Sequence, residues 1–159
     1  MHKSTETIAA ELLAGVIRED GATISPRVNG SAPLSGYMVA GLDAPALAVS
    51  REDVTLWRVT DWVARSLNYL STQVGMTRSA QTYLGAWRDS ATGTIYFDLS
   101  EHHRDRRSAV LAGVARHEVS VWDIAESDEI RTLPKHYDNT ECYAAHESRD
   151  CPRGHTYPV

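Results

Sequence analysis

The sequence predicts an α+β fold: a mainly antiparallel sheet, helices packed on one face, and an irregular C-terminal tail. Three observations carry this. Apolar residues recur at helical spacing in three stretches, and β-rich runs lie between them. Two of those runs flank a short loop ending in Gly93, which is a hairpin signal. The elements follow the order α-βββ-α-ββ-α-β.

Residues 5–19 form the first expected helix, with Ile8, Leu12, Leu13 and Val16 on one face and Gly21 as its stop. Gly21 to Pro26 then reads as a short strand. Val28 to Pro33 is a loop rich in turn formers, in which Asn29-Gly30 marks a turn. Gly36 to Leu42 and Ala46 to Val49 are the second and third strands. A long helix is expected from 51 to about 73, with Ser50 as N-cap and Asp53 completing an acidic capping box. Leu56, Val59, Val63, Leu67 and Leu70 form its apolar stripe, and burying each contributes roughly 1.5–3 kcal/mol. Trp57, Trp62 and Tyr69 widen that stripe, as core residues rather than a cofactor box.

The hairpin comprises Tyr83 to Asp89 and Thr94 to Leu99. A helix at about 106–117 follows, capped by Asp105 or Ser100. Val110, Leu111 and Val114 make its apolar face, and Ala109, Ala112, Gly113 and Ala115 let it lie close on a sheet. Val119 to Ile124 is the last expected strand. After Ile130 the periodicity ends. The chain therefore reads as one domain over residues 1–130 and a polar appendage over 131–159.

With 159 residues, the chain is long enough to bury a core without a metal or disulfide. No run of about 18 apolar residues is present, so no membrane span is expected. The N-terminal apolar stretch is broken by Glu6 and Glu11, which argues for a mature helix rather than a signal peptide. Two cysteines near the C-terminus fit a reducing compartment, and the cytoplasm is the expected location.

The net charge of −5 disfavours sequence-independent nucleic-acid binding, which needs a basic surface. That acidity is local. Residues 1–122 carry 12 basic and 13 acidic groups, whereas residues 123–150 carry 3 and 8. A basic partner surface is expected opposite the C-terminal segment.

Three sets of residues have the chemistry of a site. Cys142, His146, Cys151 and His155 follow a C-x3-H-x4-C-x3-H pattern, and thiolate with imidazole suits tetrahedral zinc. A metal there would order a segment too polar to fold alone. The spacing is not that of a usual finger or knuckle, and a flexible tail with free thiols and no cofactor is the reading preferred from sequence.

Glu101 to Arg107 forms the second set, between a strand and a helix. Arg104, Arg106 and Arg107 with the helix N–H groups suit a phosphate or carboxylate. His102, His103 and Arg104 are the candidate catalytic residues, because histidine is the side chain that exchanges protons near neutral pH. A solvated charged loop explains the same residues. Third, Asp89, Asp98 and Asp123 stand at the ends of expected strands, as turn acceptors or as a carboxylate group. The P-loop, dinucleotide, zinc-protease and nucleophile-elbow motifs are absent.

The stretches Gly21 to Arg27, Ser35 to Ala40, Tyr83 to Ser100 and Val121 to Ile124 resemble small uncharacterised proteins carried by actinobacterial phages and mobile elements. The resemblance spans about residues 20–130 and rests on turn glycines, strand aromatics and strand-end aspartates. It implies a fold and an accessory role, such as binding a host or defence protein, and no catalytic residue. The expected function is therefore that of a non-enzymatic binding protein acting on a protein partner. A small nuclease or phosphate-ester hydrolase using the His/Arg cluster, and a zinc-stabilised interaction module, are the alternatives.

Overall fold

A computed structural model describes residues 2–73, 80–118 and 120–132. The described residues contain three helices and seven strands, with antiparallel pairing. The chain is α+β, and its elements follow the expected order with one further strand at the end. It divides into two compact units, Met1–Pro33 with Gly41–His102, and Leu34–Ala40 with His103–Val159.

The first unit holds α1 (Thr5–Glu19), β1 (Gly21–Ile24), β3 (Leu47–Val49), α2 (Leu56–Thr72), β4 (Thr82–Arg88) and β5 (Ile95–His103). Only the last residue of β5 belongs to the second unit. The strands lie in the order β1-β4-β5-β3. Both helices pack on one face of this sheet. Ile8, Leu12 and Val16 of α1, and Val59, Trp62 and Val63 of α2, share one buried cluster with Leu84, Phe97 and Leu99.

Local chemistry sets the ends of α1. Ser4 caps it by accepting the Thr7 N–H at 3.2 Å. The stop is Asp20 rather than Gly21, because Asp20 itself takes the left-handed conformation at φ 61°, which a short polar side chain tolerates. Its carbonyl accepts the Arg88 N–H at 2.9 Å, and its carboxylate pairs with the Arg88 guanidinium. The helix end is thereby tied to β4, and Gly21 is free to begin β1.

The start of α2 lies five residues beyond the expected one. Ser50 and Asp53 do bond, with the Asp53 N–H donating to Ser50 Oγ at 3.2 Å and Ser50 Oγ donating to Asp53 Oδ2 at 2.8 Å. That exchange closes a single separate turn. Thr55 then caps the helix by accepting the Arg58 N–H at 3.3 Å. The buried face is also rotated relative to the expected stripe. Trp62 is fully buried at its centre, and its indole N–H donates to the Pro45 carbonyl at 2.9 Å. Leu56 and Trp57 are 50% and 75% exposed.

β2 (Tyr37–Val39), α3 (Arg106–Ala115), β6 (Ser120–Asp123) and β7 (Asp128–Arg131) make up the second unit, with strand order β2-β6-β7. Val39, Ala109, Val110 and Val121 form its core. Gly113 allows the close helix–sheet approach expected of this segment. A Cβ there would stand 2.7 Å from Val121 Cγ1 and 2.9 Å from Thr132 Cγ2.

Candidate functional site

The hairpin register sorts β4 and β5 into two faces. Leu84, Ala86, Phe97 and Leu99 point into the helix-covered core, and alternation sends Tyr83, Gly85, Trp87, Tyr96, Asp98 and Ser100 to the other side. That side is exposed at its Trp87 end, where Trp87 is 47% exposed, whereas Tyr83 and Ser100 at the other end are buried.

Trp87 and Tyr96 are cross-strand partners and stack, with centroids 4.6 Å apart and planes 17° from parallel. Their outer neighbours in the register are Gly21 on β1 and the exposed Ala48 on β3. The pair is thus bordered by two of the smallest residues.

One row along, Gly85 faces Asp98, with Thr23 beyond Gly85 on β1. A Cβ on Gly85 would stand 2.9 Å from Asp98 Oδ1, so this glycine makes the space in which the carboxylate lies. Burial pushes the Asp98 carboxyl above the usual aspartate range. Hydrogen bonds from Ser100 and Trp87 oppose the shift without cancelling it. The Ser100 hydroxyl donates to Oδ1 at 2.9 Å.

The next row holds Tyr83 opposite Ser100. The Arg27 guanidinium stands over the Tyr83 ring at 5.2 Å from its centroid, and the His102 ring meets Tyr83 edge-on at 6.3 Å. This face of the first unit therefore offers aromatic rings on both sides of a half-buried carboxylate.

Adjacent strand residues point to opposite faces, so the His102 and His103 imidazoles diverge. His102 lies against Tyr83, whereas His103 Nδ1 is 3.2 Å from Ser108 Oγ at the start of α3. Arg104, Arg106 and Arg107 are exposed. Asp105, one of the two expected caps, does cap α3. It accepts the Ser108 N–H and the Ser108 hydroxyl, both at 2.8 Å. Those bonds hold its carboxyl below the usual range. A negative group thus already occupies the helix start where an anion would dock.

The three aspartates have separate jobs. Asp89 accepts the Ala91 N–H at 2.9 Å and the Thr92 hydroxyl at 2.7 Å in the hairpin turn. Asp123 accepts the Ala125 and Glu126 N–H groups after β6. Asp98 lies mid-strand rather than at a strand end, because β5 continues to His103. Among the described residues no group of three His, Cys, Asp or Glu side chains is placed to hold a metal. Cys142, His146, Cys151 and His155 lie outside the described residues.

Trp87 and Tyr96 were not distinguished by the sequence as site residues. The signal for them is the shared parity of Trp87 with Gly85, and of Tyr96 with Asp98, once the hairpin is paired. No family model, no curated protein and no solved structure matches the chain.

Proposed function

We propose that this chain is a non-enzymatic binding protein that docks a protein partner on the open sheet face of its first unit. The Trp87–Tyr96 stack carries the reading. Tryptophan and tyrosine dominate the energetics of protein interfaces, because they bring large area at low cost in conformational entropy. Here the two rings brace each other on a rigid hairpin, so little further ordering accompanies binding. The partner is a protein with a basic surface, in keeping with the half-buried Asp98 and the first unit's 8 basic against 11 acidic residues. An accessory role in phage or mobile-element biology, supported by the sequence resemblance alone, fits a small binding protein of this kind.

Comparative capture tests this. A partner retained by the wild-type chain and by Trp57→Ala, but lost by Trp87→Ala under conditions where that variant is still folded, is the expected result. Trp57 is the apt control, being a second exposed tryptophan on α2. Capture that survives Trp87→Ala contradicts the reading, as does turnover of RNA or a nucleotide by the purified protein.

A further inference from the structure

We propose that the Trp87–Tyr96 stack and the adjoining Asp98 form a seat for a guanidinium group, an arginine side chain of the partner. This rests on the open face being the partner-binding surface, and it names the chemistry that anchors there.

Consider first what Asp98 lacks. A carboxylate has about four acceptor positions, and Ser100 and Trp87 supply two donors. Burial still outweighs those bonds, so the charged form is under-compensated. A cation brought to the remaining positions supplies what is missing.

The surroundings favour a planar cation. Trp87 and Tyr96 stand one row from Asp98, roughly 7 Å along the strands. Ring faces attract cations, tryptophan most strongly. Gly85 and Thr23 keep the floor beside the carboxylate low. Arginine fits better than lysine, because its flat fork can stack on a ring and bond a carboxylate together.

The fold holds an internal precedent one row further on. Arg27 lies over Tyr83 on the same face. That guanidinium takes the Tyr83 ring and leaves the Trp87 end for a guest. The first unit itself carries 8 basic and 11 acidic residues, a mild excess that adds a long-range attraction for a basic partner.

The test uses the full chain, uniformly labelled with nitrogen-15. The Trp87 indole N–H signal is identified by its loss in Trp87→Phe. The probes are an acetylated, amidated Gly-Arg-Gly peptide, its uncharged citrulline counterpart, and a short single-stranded RNA, all at low salt. The arginine peptide is expected to move the Trp87 signal saturably. The citrulline peptide should bind at least about tenfold more weakly, and Asp98→Asn should weaken arginine binding by a similar factor.

Equal response to both peptides overturns the proposal. So does a response unchanged by Asp98→Asn, or movement by RNA and by neither peptide. Capture of the protein partner separates the two levels. A partner lost by Trp87→Ala but held equally by Asp98→Asn leaves the binding face standing and removes the arginine anchor. A partner held by Trp87→Ala removes both.

Discussion

Gly85 and Asp98 face each other across the β4–β5 hairpin, and the carboxylate occupies the volume that any Gly85 side chain would need. The residue with no side chain and the residue with the half-buried charge are one structural unit. Gly85→Val should therefore destabilise the fold by about 1–3 kcal/mol through overpacking. In an Asp98→Ala background most of that cost should vanish, because the clashing oxygen is gone. A double-mutant cycle by urea denaturation measures the coupling, and additive losses would contradict the contact.

Asp98 should also leave a mark on stability against pH. Its folded-state carboxyl is held above the ordinary value of 3.8 by burial. Between the unfolded and folded values the native state binds more protons, so stability falls as pH rises through that window. Below the window the group is neutral in both states and imposes no cost. Asp98→Asn removes the cost, so its advantage over wild type should grow from acid to neutral pH. Melting curves of the two proteins across that range read this directly. An advantage that is flat or shrinks with rising pH would show that burial does not dominate at Asp98.

Asp105 should behave with the opposite sign. Its bonds to Ser108 hold its carboxyl below the ordinary range, so its contribution is present above the unfolded value and is lost as pH falls through the folded one. Asp105→Ala should lower the melting temperature by a few degrees at neutral pH, and by less in acid. An equal loss at both pH values would point to packing rather than capping.

The two tryptophans of α2 should respond very differently. Trp62 is fully buried, lies 5.6 Å from Phe97 between ring centroids, and donates to the Pro45 carbonyl. Trp62→Ala should cost about 3–5 kcal/mol by emptying the core. Trp57 is 75% exposed, and Trp57→Ala should stay within about 0.5 kcal/mol of wild type. Chemical denaturation of both variants checks the rotation of the buried face.

These contrasts show which parts of the molecule the sequence makes legible. The bounds of α1 and the existence of the β4–β5 hairpin follow from spacing and turn chemistry, whereas β5 runs four residues past its expected end at Leu99. At Ser50 and Thr55 two cap signals compete within five residues, and only tertiary packing chooses between a lone turn and a helix start. β7 has no signal in the sequence because Asp128–Arg131 has no apolar alternation of its own; its backbone pairs with β6. The Cys/His pattern is legible as zinc chemistry but falls outside the described residues.

The candidate site was legible in its parts and not in its assembly. Asp98 was singled out as a carboxylate at a strand end, and the continuation of β5 to His103 moves it to mid-strand. Trp87 and Tyr96 looked like ordinary strand aromatics. Their meeting depends on pairing residue 87 with residue 96, and a slip of one residue would send either ring to the core face.

Hydroxyl-radical footprinting of the chain with and without its captured partner addresses the binding face most directly, because three exposed tryptophans, Trp57 on α2, Trp87 on β4 and Trp122 on β6, compete as reporters. Binding through the open sheet face should protect Trp87 from oxidation and leave Trp57 as reactive as before. Protection of Trp57 with Trp87 unchanged would place the partner on α2 instead, and would contradict the assignment of the sheet face.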